Sequence, residues 1–523
     1  MMGLSRTHIG EFTMERFLKQ YQSEIAGVLS GPDRILFRGV LRSISYVQGL
    51  EIFLASIRVL NRDFMAYAER ISKSICEHAQ KFAQSHGRPY EYVASSRASK
   101  EEIARKIALR DEITEGLVCV LGCVEPCNSV NVRRNRRQKR LDLVYQQRRC
   151  LHVYFYYMDR EFGWMHVRLQ TWFPFTLQVC INGREWLGQK MRRAGMAYQQ
   201  QDNCFTQIAD THKAQRWMDQ FQSRRWAGWL DRWARRVMPW LSSPEGGKLR
   251  GYYWTTRQAE FATDVMFRDA KSLERIYATL LRHAMEHFRS PQVLRFLGRR
   301  YLVQGESKTR MEKRREGVCV KHFLQENWIK MYNKQGSVLR IETTINNPRR
   351  FKVWRRVTRQ GKEVKLWAPL RKGIADFRRR AQICLAANRR YLEALSFAVI
   401  SVTAHRTLDP VSQPCIREGS RYRGLRPISP EDSRKLVLLQ DGRFAIEGIR
   451  NRDLQPDWPD PAPNDPDGKR TAGRITRWLR LLTAHELLSK IPRTQCYRLT
   501  LKGQAVITCA IRVRNADLQK LVA

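Results

Sequence analysis

Apolar and polar positions along the chain follow two different periods, and the places where one gives way to the other divide it into four segments. Over residues 1–115 the spacing is three to four. Phe17 to Leu29 and Leu41 to Ala79 place apolar side chains at helical intervals, and Ala98 to Glu115 is rich in Ala, Glu, Lys and Arg, so this segment is expected to be helical. From Gly116 the period drops to two. Leu117 to Val124, Ser129 to Arg133, Leu141 to Tyr145, Leu151 to Met158 and Trp164 to Ile181 predict an antiparallel meander. Helices are expected from there to Leu241, where Trp226, Trp229, Trp233, Val237 and Trp240 recur as an apolar stripe suited to a core. Ser242 to Gly247 breaks the pattern. Beyond it Gly251 to His287 and Gln292 to Arg300 read as helix, Ile329 to Asn333 and Val338 to Ile345 as a β-hairpin closed by Lys334 to Ser337, and Ile374 to Ala404 as helix again. The fold class expected is α+β and multidomain. Its parts are a helical N-terminal region (1–115), a central antiparallel sheet with packed helices (116–243), a second α+β region holding the 329–345 hairpin (244–424), and a C-terminal domain (425–523).

The hairpin carries the most specific chemistry. Side chains alternate along a strand, so Lys330 and Tyr332 share one face, as do Val338, Arg340, Glu342 and Thr344, while Leu339, Ile341 and Ile345 point the other way. Such a face is either a solvated sheet surface with a cross-strand ion pair or a polar cleft. Tyr332-Asn333-Lys334 and Leu339-Arg340-Ile341-Glu342 resemble a motif of rolling-circle replication initiators of the plasmid trans-acting Rep and filamentous-phage gene II types. In that motif a Tyr-x-Lys turn leads into a strand ending Leu-Arg-Ile-Glu. The resemblance covers residues 328–347 of 523 and implies a metal-dependent nicking site that includes Glu342. The His-hydrophobic-His strand of many rolling-circle enzymes is absent from the sequence. Nicking chemistry needs a divalent ion such as Mg²⁺ or Mn²⁺ on the scissile phosphate, a carboxylate to hold it, and a tyrosine to attack. The expected metal ligands are Glu342 and His166, with Asp159 as a further catalytic candidate. Tyr391 is the candidate nucleophile by position, against the plainer reading of a helix tyrosine with its ring in the core.

Charge points to the partner. Lys and Arg number 95 against 50 Asp and Glu, a formal +45, which calls for a polyanion. Arginine dominates the basic clusters, and because its guanidinium forks onto phosphate and stacks on bases, nucleic acid is favoured over membrane. The loop Arg133, Arg134, Arg136, Arg137, Lys139 and Arg140 is one candidate contact. Arg168, set among His152, Tyr154, Tyr156, His166, Gln170 and Trp172, is another. Lys330, Tyr332, Lys334 and Arg340 of the hairpin form a third, and Arg349, Arg350, Arg355 and Arg356, interleaved with Phe351 and Trp354, a fourth. No apolar run is long enough to cross a bilayer, and the first residues lack a signal peptide's apolar core, so a cytoplasmic protein without membrane attachment is expected. The twelve cysteines are expected to be free thiols; the Cys119, Cys123 and Cys127 spacing does not suit zinc, and no zinc site is expected. Oligomeric state is not legible.

At the C-terminus, a helix from Ser429 to Leu439, a short one at Ile449 to Leu454, an amphipathic helix at Arg474 to Leu488, a two-stranded wing over Ser489 to Gln495 and Cys496 to Gly503, and a closing helix resemble a winged helix-turn-helix. The resemblance implies Arg474, Arg477 and Arg480 for a DNA groove and Arg493, Arg498 and Lys502 for phosphates. The function expected is nucleic-acid binding, DNA first, of a replication-initiator or mobile-element kind, with metal-dependent DNA nicking or strand transfer as its enzymatic form. The alternatives are a non-catalytic winged-helix DNA-binding regulator and an RNA-binding ribonucleoprotein component.

Overall fold

The computed structural model describes residues 14–298, 307–314, 317–349, 351–396, 398, 404–441, 443–444, 448–492 and 494–516. Its strands are β1 (Ile25–Val40), β2 (Tyr90–Tyr92), β3 (Gly116–Asn135), β4 (Arg140–Asp159), β5 (Gly163–Gln170), β6 (Leu177–Asn182), β7 (Tyr198–Gln201), β8 (Cys204–Ile208), β9 (Tyr253–Phe267), β10 (Ser307–Arg314), β11 (Gly317–Leu324), β12 (Asn327–Lys334), β13 (Val338–Ile345), β14 (Lys352–Arg359), β15 (Lys362–Pro369), β16 (Cys415–Arg417), β17 (Ser420–Tyr422), β18 (Leu488–Lys490) and β19 (Tyr497–Leu499). Eleven of them form one sheet in the order β10-β11-β12-β13-β9-β1-β6-β5-β4-β3-β2. Neighbours are antiparallel except β2 and β3, which run parallel. The meander of 116–243 and the hairpin of 244–424 therefore lie in the same sheet, and the mixed α and β architecture follows from it.

Two strands overturn the expected helices. Ile25–Val40 is the sheet's middle strand, where a mostly helical N-terminal region was expected, and Tyr253–Phe267 is its neighbour, where helix was expected from Gly251. β1 pairs with β6 on one edge and β9 on the other, so it joins the two halves of the chain. Of the expected Phe17 to Leu29 helix, Glu15–Gln20 remains helical.

Alternation along the strands divides the sheet into an apolar and a polar face. Ile35 and Phe37 of β1, Phe155 of β4, Val167 of β5, Phe261 and Val265 of β9, and Ile341 and Ile345 of β13 are buried in one core that extends from Phe17 to Ala398. Helices Phe64–Ser85, Thr211–Gln222, Ala227–Val237 and Phe377–Leu395 cover that face; Trp226, Trp229, Trp233 and Val237 lie in the core, as their spacing predicts. Asn388 on the last of these helices ties it down, donating to Phe261 O at 2.9 Å and accepting from Thr343 Oγ1 at 2.7 Å.

The other face is polar and mostly bare of helix. Lys100–Arg110, started by the Ser99 side chain accepting from Glu102 N, lies over β3 to β5 on this side. This cover buries Tyr154 and Tyr156, and Tyr154 Oη donates to Glu125, so the aromatic rows expected to stack bases are packed against a helix instead. A second core joins Leu408 to Ala510 and holds helices Pro430–Leu438, Asn451–Leu454, Lys469–Ala484 and Leu501–Arg514 around the β18-β19 hairpin. Among the described residues no helix is long and apolar enough to cross a membrane.

Candidate functional site

Where the middle strands meet on the polar face, the β12-β13 hairpin supplies the first groups. Its turn includes Gly336 at φ 76°, a conformation glycine adopts freely, and this fixes Lys330 opposite Glu342 and Tyr332 opposite Arg340. Lys330 Nζ lies 2.6 Å from Glu342 Oε1, and Tyr332 Oη donates to Glu342 Oε2 at 3.0 Å. All four side chains are buried.

β1 and β9 complete the cluster. The β1 register slips between Pro32 and Ile35, a bulge that turns Asp33 inward while Arg34 stays exposed. Asp33, Glu260 of β9 and Glu342 each bring a carboxylate oxygen within 4.8 Å of the others. Asp33 accepts from Asn182 Nδ2 (2.7 Å), Asn203 Nδ2 (2.6 Å) and Arg340 Nη1 (2.7 Å). Arg340 also donates to both oxygens of Asp264, at 2.5 and 2.9 Å, and Arg184 pairs with Asp264 at 2.9 Å. Arg184 reaches this depth because Gly183 sits against the Pro32 carbonyl, where a Cβ would collide. Lys334 donates to Asn203 Oδ1.

The electrostatics follow from this packing. Burial and the nearby Glu342 carboxylate push the Glu260 carboxyl up to about 7. Burial and Glu342 likewise drive the Tyr332 phenol well above its ordinary value. Burial alone would raise Asp264, but Arg340 and Arg184 hold it below the usual carboxylate range. Three oxygen donors this close suit a hard divalent cation such as Mg²⁺ or Mn²⁺, which completes its shell with water or phosphate oxygens. The proton held on Glu260 is the one such an ion would displace.

A cleft of about 270 Å³ opens beside the cluster, lined by Arg34, Arg105, Trp164, His166, Asn203 and Glu260. His166 thus shares the cleft with Glu260 but is not one of the three clustered carboxylates; burial lowers its imidazole to about 4, leaving it neutral at pH 7. Beyond Arg34 on the same face lie Arg38, Arg168 and Arg257. With its amide turned to suit both, Gln178 accepts from Arg257 at 2.7 Å and Arg168 at 3.3 Å. Arg168 is also held by Glu125 at 2.5 Å. Burial, Arg257 and Arg168 lower the Arg38 guanidinium, the mark of a row of like charges.

Other expected site residues lie elsewhere. Asp159 ends β4, five strands from β13 and so about 24 Å away at the usual strand spacing, and its Oδ1 accepts from Glu161 N and Phe162 N. Tyr391 is 0% exposed on the opposite face of the sheet, hydrogen-bonded to His322 Nε2 at 2.9 Å, so it does not meet Glu342. Lys330, Tyr332, Lys334 and Arg340 are buried and engaged in the cluster, not presented as an open phosphate surface. Arg133, Arg134, Arg136, Arg137, Lys139 and Arg140 are exposed at the β3-β4 tip, Arg140 with Asp142 at 2.8 Å. Arg349 and Arg356 are exposed and Arg355 half-buried; Arg350 and Arg493 lie outside the described residues. In the C-terminal unit Arg477, Arg480 and Arg498 are exposed, Arg474 pairs with Asp460 at 3.3 Å, and Lys502 with Glu486 at 3.1 Å. Sequence reasoning missed Asp33, Arg34 and Glu260, because the strands that carry them were read as helical segments.

Compared with known proteins, the chain matches no family model, no curated protein and no solved structure.

Proposed function

We propose that this chain is a cytoplasmic DNA-binding protein of the replication-initiator or mobile-element kind, with a metal-dependent DNA-nicking site on the polar face of its sheet. The observation that carries the reading is the convergence of Asp33, Glu260 and Glu342 around a tyrosine whose hydroxyl already donates to Glu342 Oε2 at 3.0 Å. Tyr332 takes the nucleophile's role here in place of Tyr391. Its oxygen attacks phosphorus, the bond from phosphorus to O3′ breaks, and the products are a 5′-phosphotyrosine and a free 3′ hydroxyl. The phenol proton passes along the hydrogen bond to Glu342, and the departing O3′ takes up a proton from solvent. A divalent ion held by Asp33, Glu260 and Glu342 would polarise the scissile phosphate. Lys330 neutralises Glu342 while the site is closed, and Arg34, Arg38 and Arg257 line the approach of the phosphate backbone. The C-terminal helices with their β18-β19 hairpin act as a winged helix, Arg477 and Arg480 of Lys469–Ala484 facing the groove.

Incubation with single-stranded DNA and supercoiled plasmid in Mg²⁺ or Mn²⁺ tests the reading. Nicked product linked to protein is expected from the wild type and from Tyr391→Phe, and none from Tyr332→Phe or Glu342→Gln. A second reading draws support from Lys330 closing on Glu342 at 2.6 Å and from Tyr332 being only 8% exposed: a sheet neutralised for packing, in a non-catalytic DNA-binding regulator. Absence of cleavage, with Glu342→Gln binding DNA like the wild type, would favour it. Sequencing the nucleic acid that co-purifies from cells separates DNA from RNA.

A further inference from the structure

β14 and β15 leave the large sheet and form a ribbon of their own. Its root is fixed, since Phe351, Val353 and Leu370 are buried in the main core and Leu370 N donates to Phe351 O at 2.7 Å. The ribbon carries six basic residues (Lys352, Arg355, Arg356, Arg359, Lys362, Lys365) against one acidic residue, Glu363. Two features distinguish one face of it. Trp354 and Trp367 sit directly across from one another, 53% and 57% exposed. One step further out Arg356 faces Lys365, a like-charged cross-strand pair relieved only by an exposed ion pair from Arg356 to Glu363 at 3.5 Å. The indoles brace the ribbon edge to face, with centroids 5.8 Å apart and planes at 61°, and their outer surfaces remain open.

We infer that the β14-β15 ribbon is a single-strand-binding arm, on which Trp354 and Trp367 stack unpaired bases while Arg356 and Lys365 hold the adjoining phosphates. Paired indoles beside paired cations match the chemistry of a single nucleic-acid strand, whose bases offer π faces at the spacing of its phosphates. A closed duplex offers phosphates without free faces. The inference rests on the nucleic-acid-binding reading and assigns it a surface distinct from the carboxylate cluster, one suited to holding a strand opened near the nick.

The test is fluorescence anisotropy of the full-length chain with labelled oligo-thymidylate and with a blunt duplex. Trp354→Ala/Trp367→Ala is expected to weaken oligo-thymidylate binding by about tenfold or more per indole while duplex binding changes less than about twofold. Arg356→Gln/Lys365→Gln, which keeps both indoles and so the brace, is expected to lower the salt slope on the single strand by about 1.4. Wild-type binding to oligo-thymidylate that neither variant alters would overturn the arm and leave the DNA-binding reading standing. Equal losses on single strand and duplex in the charge variant would also overturn it. A wild type that binds neither probe would overturn both readings.

Discussion

Replacing Glu260 by Gln tests whether the three carboxylates are held together against their mutual repulsion. In the folded chain burial and Glu342 push Glu260 up to about 7, from an ordinary value of 4.5. A carboxyl raised on folding contributes stability that is fully present below pH 4.5 and is lost as pH rises through 7, because the folded state must then give up a proton it binds better than the unfolded chain does. The ceiling on that loss is about 3 kcal/mol at 1.36 kcal/mol per pH unit, and because Glu260 is only half-buried, solvent screening leaves about 1–2 kcal/mol. Glu260→Gln keeps an acceptor for Gln258 Nε2, now 3.1 Å from Glu260 Oε1, and removes the charge. Scanning calorimetry between pH 5 and 8 should show the wild-type main transition falling by about 2–4 °C as pH rises, and a flatter profile for the variant, which becomes the more stable protein at pH 8. Mg²⁺ or Mn²⁺ should raise the wild-type midpoint more at pH 8 than at pH 6, since proton and metal compete for the same oxygens, and should leave Glu260→Gln nearly unmoved. Identical pH slopes for the two proteins, or a variant less stable than wild type at pH 8, would refute the reasoning.

Three further outcomes are expected. Arg340→Met should lose about 3–5 kcal/mol in urea unfolding, because Asp33 would be left buried without its cation and Asp264 with Arg184 alone; a loss under 1 kcal/mol would mean that water already reaches them. Tyr391→Phe should cost about 0.5–1.5 kcal/mol through its hydrogen bond to His322 and leave any DNA cleavage unchanged. Arg477→Glu/Arg480→Glu should weaken duplex binding by about 1–3 kcal/mol per arginine, as expected of groove contacts, and unaltered binding would remove the Lys469–Ala484 helix from the interface.

How far the sequence disclosed this arrangement depended on where tertiary context overrode local preference. Elements with a strong period of their own were readable: the β12-β13 hairpin, the tryptophan stripe, and the C-terminal helices with their hairpin. β1 was not, because Gly31-Pro32-Asp33 interrupts its run like a loop, and only the partner strands show that the interruption is a bulge carrying Asp33. β9 was not, because Gln258, Ala259, Glu260 and Ala262 are ordinary helix residues made into strand by pairing on both sides. The hairpin's face assignments were correct, since Lys330, Tyr332, Arg340 and Glu342 do share one face. What alternation cannot say is whether a polar face is open. Here Arg340 is closed over by Asp33, Asp264 and Asn203, so a residue that reads as a phosphate ligand proves to be a strut.

That strut is itself an argument about function. Gathering Asp33, Asp264, Glu260 and Glu342 with Arg184, Arg340 and Lys330 on a buried stretch of sheet is an inefficient way to stabilise a fold, since apolar side chains of similar volume serve as well or better. The network nonetheless has a graded character. Asp33 and Asp264 are each held by several guanidinium or amide donors, whereas Glu342 is met by one ammonium and one phenol, and the Glu260 carboxyl is raised to about 7. Asp33 and Asp264 are the rigid members, and they fix β1 and β9 relative to β13. The labile member is Glu260, whose carboxyl titrates near neutral pH and which also lines the cleft that reaches Arg34. A rigid ionic base beneath an exchangeable carboxylate next to a tyrosine is the arrangement the proposed phosphate-handling site calls for, and the pH and metal dependence of Glu260→Gln separates it from a sheet neutralised for packing.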